Sequence, residues 1–179
     1  MITELIKIRL AGPGDNILLA DLGRRTFSDT FARDNTPEDM AAYLAASFGP
    51  QKQAEELADP LSHFLIAEVD GAPVGYARLH LGEPPATITG RMPVEIVRFY
   101  AVREWIGGGV GAALMATCLA LAAEKGCDTI WLDVWERNRR AIAFYRKWGF
   151  APVGEQAFQL GGDLQHDLLM QRSISADAN

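Results

Sequence analysis

Cysteine and histidine are scarce in this sequence of 179 residues. Its two cysteines, Cys118 and Cys127, supply no disulfide framework and do not have the C-x-x-C spacing of a metal or redox pair. The three histidines, His63, His80 and His166, lie far apart with no partner at ligand spacing, so no metal site is expected. Cys118 falls within an apolar helix-forming run and reads as a small core residue. Long hydrophobic runs are also missing, with one exception. Residues 105–123 carry no charge for 19 positions, close to the membrane-spanning minimum. Four glycines among positions 107–111 open that stretch, and alanine dominates the rest, which fits a buried helix entered through a glycine loop. Glu4, Lys7, Arg9 and Asp15 interrupt the early chain, so no signal peptide is expected. A basic excess is lacking too. With a net charge of −6, a pI near 5.1 and no basic stripe interleaved with aromatics, nucleic acid is not an expected partner. These absences together predict a soluble, cytoplasmic protein with no membrane partner.

What is present is ordinary globular material, 49% hydrophobic and 22% charged, in a chain long enough to bury a core. One domain over residues 1–172 is expected, with a frayed tail over 173–179. Charge is unevenly spread: residues 1–90 hold 7 basic against 13 acidic residues, and residues 91–179 hold 10 of each. Arg137, Arg139, Arg140, Arg146 and Lys147 crowd together. They form either a solvated helix face or an end that meets a polyanion.

Hydrophobic periodicity predicts strands over residues 5–10, 64–69, 73–81, 94–102, 129–134, 150–160 and 164–172. Helices are predicted over residues 15–31, 37–48, 51–58, 110–125 and 138–148. Asn35-Thr36-Pro37-Glu38-Asp39 has the features of a helix start: a capping residue, proline at the first helical position and acids in the first turn. Asp70-Gly71 marks a hairpin turn, and Gly126 and Gly149 stand where helix-terminating glycines belong. This order implies one mixed α/β sheet with helices on both faces.

Between the strand at 94–102 and the helix at 110–125 lies Trp105-Ile106-Gly107-Gly108-Gly109-Val110-Gly111. Glycines allow positive φ and close backbone approach, and the free N–H groups of the following helix point at an anion. The loop therefore predicts a pyrophosphate cradle. Gly107-x-Gly109-x-x-Ala112, with Asp133 beyond it, also fits the dinucleotide fingerprint formally. Context excludes that reading, because Arg103-Glu104 separates strand from loop and no series of βαβ units follows.

Three segments carry a resemblance: Glu95-Ile96-Val97-Arg98-Phe99-Tyr100-Ala101, the glycine loop, and Trp131-Leu132-Asp133-Val134-Trp135-Glu136-Arg137-Asn138-x-x-Ala141-Ile142-Ala143-Phe144-Tyr145-x-x-x-Gly149-Phe150. They resemble the core of the GNAT acetyltransferases. Thr26-Phe27-x-x-Thr30-Phe31, Asn35-Thr36-Pro37-Glu38-Asp39-Met40-x-x-Tyr43-Leu44 and Gly161-x-Asp163-x-Gln165-x-Asp167-Leu168-x-Met170 are similar to PaiA-type polyamine N-acetyltransferases. The resemblance implies the GNAT fold, a mixed and mostly antiparallel sheet, and acetyl-CoA as cosubstrate.

It further implies that Phe99, Tyr100 and Ala101 present backbone groups to the pantetheine arm as to an added strand. Ile106, Gly107, Gly108, Gly109, Val110 and Gly111 would hold the pyrophosphate, Asn138 the CoA arm, and Lys147 or a neighbouring arginine the 3′-phosphate. Tyr145 matches the general acid that protonates the departing thiolate, and Glu95 a general base found in some members. An alkyl amine has a pKa near 10 and must lose a proton before it attacks a thioester, and a carboxylate, directly or through water, can accept it. Glu95 could equally pair with an arginine or bind the substrate ammonium.

The sequence departs from the family at Ile106, where Arg or Gln is usual, and at Gly108, a second basic position. Val97 stands where polyamine-acetylating relatives carry glutamate. The expected activity is acetyl transfer to a primary amine such as spermidine or spermine. Asp29, Asp34, Glu38 and Asp39 are either attractors for that cation or helix-start and solvent-facing acids. A peptide N-terminus, an amino acid, an antibiotic amine or a non-catalytic acyl-CoA-binding role remain as alternatives. The family's example also admits a homodimer.

Overall fold

The computed structural model describes residues 5–175. Its elements run β1 (Ile6–Leu10), α1 (Asn16–Phe31), α2 (Pro37–Ser47), α3 (Pro50–Ala58), β2 (Ser62–Val69), β3 (Ala72–His80), β4 (Pro93–Ala101), α4 (Val110–Glu124), β5 (Thr129–Trp135), α5 (Arg139–Lys147), β6 (Ala151–Leu160) and β7 (Asp163–Ser173). The strands form one sheet in the order β1-β2-β3-β4-β5-β7-β6. Every neighbouring pair is antiparallel except β4 and β5. The expected mixed, mostly antiparallel sheet is therefore present.

Local sequence explains the boundaries. Thr36 caps α2, its hydroxyl accepting the Asp39 N–H at 3.2 Å, with Pro37 at the first helical position. In α4 the buried residues Val110, Leu114, Met115, Cys118 and Ala122 recur at helical spacing. Gly126, at φ +79°, ends that helix in the left-handed conformation that a side chain would resist. The C-terminus differs from expectation at one point. Ser173 is not tail but the last residue of β7, paired with Thr129, and the Ile174 N–H donates to Asp128 O at 2.9 Å. The rest of the expected tail, residues 176–179, lies outside the described residues.

Two clusters of buried side chains matter for the site. The larger joins Leu19 and Leu22 of α1, Leu114, Met115 and Cys118 of α4, and strand residues such as Ile66, Ala77 and Ile130. Truncating a fully buried leucine of this kind, such as Leu114, costs about 2–5 kcal/mol. The smaller is aromatic and gathers Phe27, Phe31, Met40, Phe48 and Leu160, with Tyr43, Trp135 and Phe158 packed against it. Gly23 is required there, because a Cβ would collide with the Phe48 ring. Gly75, facing Val110, marks the side of the sheet that α4 covers. Arg98 of β4, bonded to Glu56 of α3, marks the opposite side.

Candidate active site

β4 and β5 pair over three positions only, Pro93 with Thr129, Val94 with Ile130 and Glu95 with Trp131. On its other side β4 carries a bulge. Leu79 opposes Ile96 and Arg78 opposes Arg98, so Val97 has no partner. An extra residue bends a strand and increases its twist. From Ile96 onward β4 turns away from β5, and its edge is left without a neighbouring strand. A cleft of about 630 Å³ opens between the two strands and is lined from both faces of the sheet.

On the α4/α5 side the cleft is lined by Ile106, Gly107, Gly109 and Gly111, then by Asn138, Arg140 and Lys147. Gly107 and Gly109 have φ of +80° and +94°. Gly109 begins α4 without any side-chain cap, and the first bond of the helix runs from the Ala113 N–H to Gly109 O at 3.0 Å. The N–H groups of the first turn therefore have no intrahelical acceptor and face an anion favourably. Of the expected cradle residues, Gly108 and Val110 do not line the cleft. Val110 is fully buried in the core. Ile106 is 40% exposed and lines the cleft as an apolar side chain. Asn138 caps α5, its Oδ1 accepting the Ala141 N–H at 3.2 Å, which leaves its amide N–H groups available.

Phe99, Tyr100 and Ala101 form the parted edge of β4 and line the cleft. Phe99 points toward α5, its ring centroid 5.7 Å from Phe144 and 6.0 Å from Tyr145. Tyr145 is 8% exposed and lines the cleft. Burial, followed by Cys118 and Asp133, raises its pKa above the ordinary tyrosine value, so the hydroxyl stays protonated at neutral pH. A proton held at that position is available for donation.

Glu95 sits where β4 and β5 separate. It is half-buried and is not among the residues that line the cleft. Burial and then Asp133 push its pKa up to about 7, with Arg78 pulling the other way. Arg98, farther along β4, is committed elsewhere: it donates to Glu56 at 2.6 and 3.1 Å and to Gln53 at 3.2 Å, and lies 4.9 Å from the Phe48 ring. That buried network ties α3 to the sheet.

The other end of the cleft was not foreseen in the sequence. Phe27, Phe31, Tyr43, Trp135 and Phe158 wall it, and Asp133 and Asp167 supply its charge. Gln156 Nε2 donates to Asp133 Oδ2 at 2.8 Å. Asp167 is 6% exposed, and its Oδ1 has no hydrogen-bond partner among the described residues. Burial and then Asp133 push the Asp167 carboxyl up to about 7. The acids expected to attract a cation lie elsewhere. Asp29, Asp34, Glu38 and Asp39 do not line the cleft, and Asp39 Oδ1 accepts the Gly162 N–H at 2.7 Å. The readable signal was Asp133, the one charge inside an otherwise apolar strand.

A parted parallel strand pair beside a glycine-opened helix accounts for the cleft. Residues 25–150 match the model of the acetyltransferase (GNAT) family. The chain belongs to that family. An uncharacterised N-acetyltransferase of Mycobacterium tuberculosis is 36% identical over 156 residues, 87% of this chain and 96% of the relative. The aminoglycoside N(6′)-acetyltransferase type 1 of Stenotrophomonas maltophilia is 32% identical over 128 residues, 66% of this chain and 84% of the relative. Among solved structures, the PaiA N-acetyltransferase of Thermoplasma acidophilum in complex with coenzyme A superimposes with a TM-score of 0.75 at 21% identity, covering 94% of this chain and 98% of that one. This GNAT chain is thus an acetyl-CoA-dependent N-acetyltransferase. Among the described residues no helix is long and apolar enough to cross a membrane, and no group of three or more candidate ligands is arranged to hold a metal ion.

Proposed function

We infer that the protein acetylates small alkyl polyamines, with spermidine and spermine as representatives. The observation that carries this reading is the chemistry of the acceptor end of the cleft. It is walled by aromatic rings and charged only by Asp133 and Asp167, while the basic lining residues Arg140 and Lys147 belong to the α5 side. An acidic, aromatic chamber favours a flexible cation over an anionic or neutral acceptor. A cytoplasmic setting, where acetyl-CoA is found, goes with this reading.

Acetyl-CoA supplies an activated acyl group as a thioester, and the chain's residues do the rest. In this reading the parted β4 edge at Phe99, Tyr100 and Ala101 aligns the pantetheine arm. The N–H groups at the start of α4 hold the pyrophosphate, and the Asn138 amide steadies the arm. Lys147 and Arg140 meet the remaining phosphate. Glu95, ionised on the alkaline side of about 7, accepts the proton of the incoming ammonium through water, because it does not line the cleft itself. Tyr145 delivers a proton to the leaving sulfur. Orientation within the narrow gap and N–H groups facing the developing charge lower the barrier further.

The test is CoA release followed with a thiol reagent, offering spermidine, spermine, amino acids, a peptide mixture and an aminoglycoside as separate acceptors. Stimulation by the polyamines well above the acceptor-free rate supports the reading. An aminoglycoside amine is the second reading, favoured by the Stenotrophomonas relative. A rate confined to that acceptor would replace the first.

A further inference from the structure

Asp133 and Asp167 stand on neighbouring strands of the same sheet. In the β5–β7 register Asp167 lies opposite Trp135 and Asp133 opposite Leu169, so the two acids are diagonal neighbours on one face. Asp133 already accepts a hydrogen bond from Gln156, and no cation neutralises either acid within hydrogen-bond distance among the described residues. An ammonium group seated beside the two acids would compensate them. Asp167 lines the cleft, and its buried Oδ1 lacks a donor, which an acceptor's N–H would provide.

Position sets Asp167 apart from the reacting centre. Transfer takes place in the gap between β4 and β5, next to Tyr145. Asp167 is on β7, one strand farther from that gap, about 5 Å by ordinary strand spacing. An amine that attacks the thioester must be neutral, so a buried anion offset by a strand suits a different, still-charged nitrogen of the same molecule. Trp135, Tyr43 and Phe158 enclose the same end. Tyr43 and Phe158 meet edge-on at 5.5 Å, and the aromatic faces offer further attraction to an ammonium group.

We propose that Asp167 and Asp133 form a second-ammonium subsite that makes the enzyme selective for diamines and longer polyamines over monoamines. This rests on the polyamine reading given above and adds the residues that impose it. Asp167 is the specificity-determining member, because its free oxygen needs the ligand and Asp133 has Gln156.

The experiment compares 1,4-diaminobutane with n-butylamine as acceptors for the wild-type enzyme and for Asp167→Asn, an exchange of nearly equal volume. Expected are a preference of at least a hundredfold in kcat/KM for the diamine in the wild type, and a loss of at least tenfold of that preference in D167N, mainly through KM. Asp167→Glu, which keeps the charge, should recover part of it. CoA binding and the melting temperature of D167N report whether the variant is folded. A folded D167N that keeps the full diamine preference overturns the subsite while leaving the polyamine reading intact. A wild-type enzyme that acetylates neither diamine nor polyamine overturns both.

Discussion

Glu95 and Trp131 are the last two residues to pair before β4 and β5 part, and the cleft begins just beyond that point. A carboxyl held at the fork is half withdrawn from water by the strands that flank it. Its pKa is raised to about 7 chiefly by this burial. The position therefore couples backbone topology to proton affinity. If Glu95 accepts the amine's proton, kcat/KM should rise with pH through about 7 on this limb. Glu95→Gln should remove the limb and lower the rate about 10²–10⁴-fold. A pH–rate profile of both proteins checks this, and a variant with an unchanged acid limb would assign the proton to another group.

Replacing Tyr145 by Phe keeps the ring contacts with Phe99, Phe144 and Phe150 and removes only the hydroxyl. The melting temperature and the Kd for CoA should stay close to wild type, while kcat falls about 10²-fold or more. Single-turnover kinetics with saturating acetyl-CoA is the decisive measurement. An undiminished rate would leave Tyr145 as a wall residue.

Asp167 also affects stability. Its carboxyl has a higher pKa in the fold, about 7, than in an unfolded chain, about 4, with burial, Asp133 and Glu136 as causes. The folded state then binds the proton more tightly. The associated stability is complete below about pH 4 and is lost as pH rises through 7. Glu95 acts in the same direction. Thermal melts should show stability declining between about pH 4.5 and 7.5. Asp167→Asn should flatten that decline and stabilise the protein at pH 8 by on the order of 1–3 kcal/mol. A decline of equal slope in the variant would count against this.

Gly109 begins α4 at φ +94°, and a Cβ there would meet only Ile6 Cδ1, at 3.6 Å. Space is available, so the cost of Gly109→Ala comes from the backbone, about 1–2 kcal/mol. If the backbone relaxes instead, the N–H groups of the first turn move. CoA affinity should fall several-fold, measurable by calorimetry, and a variant with wild-type affinity would remove this loop from the binding site.

Ile106 offers a test by gain. It is exposed, lines the cleft and stands beside the glycines that face the phosphates in the proposed reading. Ile106→Arg adds a charge-assisted donor to an anion already held by backbone groups. CoA should bind about 3–10-fold more tightly at low salt, a gain of about 0.6–1.4 kcal/mol that fades as salt rises. No gain at any ionic strength would put the pyrophosphate elsewhere.

The element order was legible because periodicity, glycine stops and the proline-led start of α2 are local signals, and each survived folding. The glycine loop and the segment from Trp131 to Phe150 were legible for the same reason: their residues lie close together in the chain. The acceptor end was not. Phe31, Tyr43, Trp135, Phe158 and Asp167 come from five different elements and converge only through the placement of β7 between β5 and β6. Asp133 was visible as a charge in an apolar strand but was considered only as a ribose ligand. Asp39, weighed as a cation attractor, instead holds the turn between β6 and β7 through the Gly162 N–H. Val97 looked like a lost functional residue. It is the unpaired residue of the β4 bulge and also lines the cleft, a placement that no side-chain comparison reveals.

The short seam between β4 and β5 has a further consequence. Among the described residues, three pairs are all the strand pairing that joins the four strands on one side of the sheet to the three on the other. A cosubstrate arm lying along the open edge would act as a splint across the fracture line, so ligand occupancy and mechanical continuity of the sheet become one quantity. Saturating CoA then does more than add its binding energy to the fold. It should slow amide exchange on strands that it never touches, β3 and β7 included, because a break propagating along the seam must first expel the splint.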